Sequence, residues 1–205
     1  MVLKEIRRSA RESLVGKWGS AIGSVLIVFA LAFFLPGIFF YEDTPRNDAL
    51  MTIWLILVYS PFVLGLARVF LHIARNQTPK GALFSYLTNG QRYLKSVWFY
   101  VLQSIYLFLW TLLLVIPGII KGYSYAMTSY ILVDHPEYSV NQAITKSREL
   151  MNGYKWKLFL LQLSFIGWFF LSLLTFGIGF IWLAPYYQAA GAQFYLTITG
   201  KRETA

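Results

Sequence analysis

The 205-residue chain has no cysteine, only two histidines and nine acidic residues. Without cysteine it has no disulfide, no thiolate metal site and no thiol nucleophile. The histidines, His72 and His135, lie far apart, and no H-E-x-x-H pair exists to hold zinc. A G-x-S-x-G nucleophile elbow and a G-x-x-x-x-G-K-[ST] phosphate cradle are missing as well. No catalytic, cofactor-binding or metal-ligating residue is therefore assigned, and the expected role is not enzymatic. Charge is also scarce: 13% of residues are charged, against about 25% in soluble domains. None of these charges falls in the middle of an apolar run, so the buried ionisable group of a proton- or ion-coupled transporter has no candidate.

What the chain does have is grease. It is 57% hydrophobic and 19% aromatic, with a mean hydropathy of +0.54, more than a water-soluble core can absorb. Apolar runs of about 20 residues recur, each long enough to cross a hydrocarbon layer about 30 Å thick. The net charge of +9 reads as a topology signal, not a nucleic-acid footprint. Lys and Arg cluster in the connectors beside apolar runs, and no DNA- or RNA-binding motif accompanies them.

Taken in order, residues 1–18 are basic, carrying Lys4, Arg7, Arg8, Arg11 and Lys17. Leu3, Ile6, Ala10 and Leu14 recur at helical spacing, so the segment is either an amphipathic surface helix or a charged tail that sets orientation. Spans are expected at about 19–40, 49–73, 96–116, 119–133, 158–174 and 180–199. Pro61 and Pro185 fall inside two of them, where neighbouring groups must satisfy the freed carbonyls. The fourth run is short; it is read as a full helix starting near the headgroups, with a re-entrant segment as the alternative. Between the fourth and fifth runs, Ser139 offers an N-cap oxygen and Asn152-Gly153 a stop. The polar helix expected over 139–152 is amphipathic and too short to span; it lies against the membrane or packs under the bundle.

The resulting fold is all-α: a polytopic bundle of six transmembrane helices in three hairpins, plus the cytoplasmic-side surface helix. Five cations precede the first span, five run from Arg68 to Lys95, four from Lys146 to Lys157, and two close the chain. Sixteen of the 18 then share one side, with Arg46 and Lys121 opposite. Both termini are thereby expected in the cytoplasm.

Candidate contact residues follow from position. Arg68, His72 and Arg75 share one face at the inner end of the second span, either as a patch for an anionic lipid or ligand or as snorkelling side chains that fix depth. Lys121 stands at the lip of the fourth run. Tyr125 and Gln188 belong to a group with Tyr123, Tyr130, Tyr186, Tyr187, Tyr195, Gln162 and Gln193. That group either lines a polar cavity or glues helices together. Asp134, His135 and Glu137 are either a metal or acid–base cluster or a polar turn between helices. Expected partners are membrane lipids and a protein or peptide; no cofactor and no nucleic acid is expected.

The run Ile116-Pro117-Gly118-Ile119-Ile120-Lys121-Gly122-Tyr123-Ser124-Tyr125 and the run Lys146-Ser147-Arg148-Glu149-Leu150-Met151-Asn152-Gly153 are distinctive. With Leu163-Ser164-Phe165-Ile166-Gly167-Trp168 and Ala184-Pro185-Tyr186-Tyr187 they resemble an uncharacterised family of bacterial integral membrane proteins, domain of unknown function nine hundred and seventy-five. The same outline is similar to the membrane domain of glycerophosphodiester phosphodiesterases, although the hydrolase domain is absent. The resemblance implies a membrane fold and a bacterial plasma membrane, and it implies no activity. The expected function is a membrane module that binds a lipid, a hydrophobic peptide or a partner protein. The alternative is a small transporter or flippase with a Tyr- and Gln-lined cavity.

Overall fold

The computed structural model describes residues 3–40, 44–113 and 115–200, all helices and turns with no strand among them. Tyr41, Glu42 and Asp43 of the first loop, Leu114 of the third apolar run, and Lys201 and Arg202 lie outside the described residues. In chain order the elements are α1 (Leu3–Leu14), α2 (Trp18–Phe39), α3 (Pro45–Ala74), α4 (Gly90–Leu113) and α5 (Val115–Tyr125). There follow α6 (Thr128–Asp134), α7 (Val140–Leu150), α8 (Lys155–Leu174) and α9 (Phe180–Ile198).

α2 and α3 form the first hairpin, and proline shapes both. Each helix widens into a turn of π-helix, at Ala30–Phe34 and Leu55–Tyr59. In α2, Leu35 donates its N–H to Ala30, five residues back. Continuing that register would ask Pro36 to serve Leu31, and proline has no N–H. In α3, Pro61 cannot serve the carbonyl of Leu57, four residues back. Aromatic donors take over: Trp54 Nε1 donates to the Leu31 carbonyl at 2.8 Å, and the Tyr93 hydroxyl to that of Leu57 at 2.9 Å. Both carbonyls are satisfied without water, as a lipid environment requires.

The core gathers at the opposite end of this hairpin, around the Ser60–Ala74 half of α3. α6, the second half of α9 and α1 all pack there. The loop after α3 folds back on it so closely that a Cβ at Gly65 would collide with the Leu83 carbonyl. Buried Ala82, Leu83 and Tyr86 make this stretch part of the core. α1 is amphipathic, as its spacing predicts, but protein receives its apolar face. Ile6, Ala10 and Leu14 are buried against α9 and α3.

Among the described residues three helices, α2, α3 and α8, are long and apolar enough to cross a membrane. The six spans expected from hydropathy are thus not reproduced. α9 has the length, but its Ala189–Leu196 stretch faces protein and carries Gln193 and Tyr195. The 119–133 run is not one helix. It breaks at Ala126–Met127 between α5 and α6, because side chains serve the backbone there. Ser147 of α7 donates its hydroxyl to the Ser124 carbonyl at 2.8 Å and accepts the Met127 N–H at 3.2 Å. Thr128 donates to the Tyr125 carbonyl at 2.8 Å.

α7 itself starts in the expected way. Ser139 accepts from Gln142 N–H, and the Gln142 side chain accepts from Ser139 N–H at 2.7 Å, a reciprocal cap. Of the two placements open to α7, the structure has it packed on the protein. Val140, Ala143, Ile144 and Ser147 are buried, and Gly153 turns the chain away with φ +78°.

Candidate site: a cleft at a helix break

The break between α5 and α6 is the floor of a cleft of about 190 Å³. Its polar lining comes from Ser129, Tyr130, Gln162, Tyr187 and Gln188, and Phe165 and Leu161 close it. Tyr130 is held tightly. Its ring stacks on Tyr195 at 5.6 Å, and a Cβ at position 191 would come within 3.0 Å of its hydroxyl, a tight contact that Gly191 avoids. Gln162 is oriented by the Tyr123 hydroxyl, which donates to its Oε1 at 2.7 Å. Next to the cleft is a second hollow of about 380 Å³ between α8 and α9, walled by Ile166, Phe169, Phe180 and Leu183. Gln162, Phe165, Tyr187 and Gln188 border both. The pair sets a cleft of mixed polarity beside an apolar groove.

A separate polar knot ties the core together. Arg75 lies 2.6 Å from one Asp134 oxygen and donates to the other at 2.7 Å, and the Tyr195 hydroxyl donates to the same carboxylate at 3.0 Å. The Asp134 side chain is 4% exposed and Arg75 27%. Beside them, Gln193 donates to the Ala74 carbonyl at 3.0 Å, closing the C-terminal end of α3. Asp134 is thereby engaged by Arg75 and Tyr195, while His135 and Glu137 pair with each other at 2.9 Å. The three do not converge, and no group of three metal-ligating side chains occurs among the described residues. The Glu137 carboxyl is held below its ordinary range by its own backbone N–H and then by His135.

The candidate residues therefore separate. Gln188 lines the cleft. Tyr125 does not: it is buried against Tyr106, with ring centroids 6.3 Å apart. Arg75 belongs to the ion pair, and His72 sits between Arg68 and Arg75, against the backbone at Thr78. Lys121 lies over the Trp110 ring at 4.2 Å, within Coulombic reach of Arg148 and Lys155. Arg148 and Lys155 are among the cations expected in the cytoplasm, whereas Lys121 is expected opposite them. Asp134 with Tyr195, and the bridging Ser147, escape sequence reasoning because their partners lie far away in the chain.

No curated protein and no solved structure matches the chain, so the likeness to the phosphodiesterase membrane domain is not carried further. A family match is found over residues 1–121 and 111–202, nearly the full length. The chain belongs to the family described as "Protein of unknown function (DUF975)".

Proposed function

We propose that this is a non-enzymatic, multi-pass protein of the bacterial plasma membrane that holds a single amphiphile, a lipid, in the cleft at the helix break. The observation that carries this reading is a cleft rich in Tyr and Gln set against an apolar groove, with Gln162, Phe165, Tyr187 and Gln188 bordering both. A headgroup would hydrogen-bond to Gln162, Gln188 and Tyr187 while a chain follows Phe169 and Leu183. Binding sites pair a few placed polar groups with apolar walls in this way. Asp134, locked to Arg75 and Tyr195, is withheld from acid–base work, which supports a binding role.

The topology we propose has four crossings, α2, α3, α8 and α9, with both termini cytoplasmic. The α4–α5 hairpin enters from the cytoplasmic side without crossing. α7 supports this, since its outer face carries Gln142, Thr145, Lys146 and Glu149 and belongs in water. It crosses the hairpin from Asn141, which accepts from the Tyr106 hydroxyl at 3.2 Å, to Ser147 at the break. Only about eight residues per arm project beyond it, about 12 Å at helical rise, against a hydrocarbon layer of about 30 Å. Single cysteines test this: one at Arg46 reacts with an impermeant thiol reagent in intact cells, and one at Lys121 does not. Labelling at Lys121 would restore six crossings.

For the cleft, native mass spectrometry of protein purified in mild detergent should show one retained lipid. Gln162→Leu with Gln188→Leu should remove it, and Tyr125→Phe, outside the cleft, should keep it. Retention in the double variant, or a peptide in place of lipid, would overturn the reading. The helix break at the cleft also favours a second reading, a small transporter or flippase, because broken helices frame many transport sites. Flux of labelled lipid in proteoliposomes that is lost with Gln188→Leu would select it.

A further inference from the structure

On the other side of α9 lies a groove of about 380 Å³, bounded by α1, the start of α2, α8 and α9. Trp18, Trp168, Trp182, Leu171 and Leu183 wall it, and Arg11 is the one charged residue in its lining. The Ser172 and Thr175 hydroxyls of the wall are taken up by backbone. The Ser172 hydroxyl donates to the Trp168 carbonyl at 2.8 Å, and the Thr175 hydroxyl to the Ser172 carbonyl at 2.8 Å. The groove is therefore apolar along its length and cationic at one end.

We propose that this groove seats an acyl chain of an anionic phospholipid whose phosphate meets Arg11. Three observations converge on that occupant. Arg11 is exposed, and among the described residues no carboxylate pairs with it; its neighbour Glu12 is engaged by Arg8 at 3.3 Å. The guanidinium is also positioned in advance. It stands over the Tyr186 ring at 5.8 Å, and Tyr186 is itself fixed by donating to the Arg7 carbonyl at 3.2 Å. A planar fork held this way suits a phosphate. Finally, Trp18 borders the groove at the start of α2, separated by three residues from the end of α1, and indole favours headgroup depth, where a lipid phosphate lies.

The test uses the intrinsic tryptophans of the full chain in mixed micelles, quenched by lipids brominated on the acyl chain. Brominated phosphatidylglycerol should reach half-quenching at a mole fraction about fivefold below that of brominated phosphatidylcholine, the factor expected for one basic contact. Arg11→Gln should bring the two lipids together, and Arg11→Lys should keep most of the gap. Ser172→Trp, which fills the groove and leaves Arg11 in place, should also abolish the difference. Helical circular dichroism and a single elution peak confirm that each variant is folded. Equal quenching by both lipids in the unaltered protein overturns the proposal. So does a gap that survives Arg11→Gln. A gap lost with Arg11→Gln but kept with Ser172→Trp overturns it too, because that pattern is surface attraction without a seated chain.

Discussion

The two halves of α3 are both apolar, yet they live differently. From Pro45 to Tyr59 no residue is buried; from Ser60 to Ala74 nearly every one is. Apolar character did not sort them. In lipid it cannot, because hydrocarbon is as good a neighbour for leucine as another leucine. What differs is the company of polar atoms and small residues. The outer half is fastened by single donors reaching proline-orphaned carbonyls. The inner half sits beside an ion pair, a capped helix end and a glycine that admits another backbone. Burial in this chain follows the polar contacts.

The most forceful way to break that contrast is to remove the carboxylate of the inner knot. Asp134→Ala strands Arg75 and should lower stability by about 3 kcal/mol, the low end for a broken buried pair because Arg75 keeps some exposure. Thermal unfolding in detergent reads this directly, and an unchanged midpoint would contradict a structural role for the pair. Next comes the helix break. Ser147→Ala leaves the Ser124 carbonyl and Met127 N–H without their partner and should cost about 2 kcal/mol. Hydrogen exchange at Met127 should speed up in step.

The outer half should respond less. Trp54→Phe frees one carbonyl and should cost about 1 kcal/mol, with faster exchange confined to the α2–α3 tip. A loss equal to that of Asp134→Ala would erase the contrast between the halves. The smallest effect belongs to Glu137, whose folded carboxyl titrates below its ordinary value. A depressed carboxyl stabilises above the unfolded pKa and loses that contribution as pH falls through the folded one. Stability of the unaltered protein should therefore drop slightly more than that of Glu137→Gln between pH 6 and about pH 3, a window set by the ordinary carboxylate range.

Local chemistry was readable from the residues; distant pairing was not. The first hairpin falls close to its expected limits, and Ser139 with Gln142 marks the start of α7, because these signals lie within a turn or two of one another. The break at Ala126–Met127 left no trace in hydropathy. Its cause is a serine about twenty residues further on, at a position an amphipathic pattern reads simply as small. Asp134 looked like a turn residue because its partners, Arg75 and Tyr195, are 59 and 61 positions away. In the site, Gln188 was identifiable as a polar group on an apolar helix. Tyr125 had the same credentials, yet packing on Tyr106 removes it from the cleft. Only the angle of its helix decides that.

The burial of α1 against α9 bears on how the protein is made. Tyr186 and Arg7 touch across 179 positions of chain, so α1, made well before α9, must wait for it. During that interval Ile6, Ala10 and Leu14 have chiefly α3 to rest on. The membrane surface is the natural temporary host, since amphipathic cationic helices adsorb there reversibly. Assembly would then finish by transferring α1 from lipid to protein, a late and non-local step of the kind that slows folding.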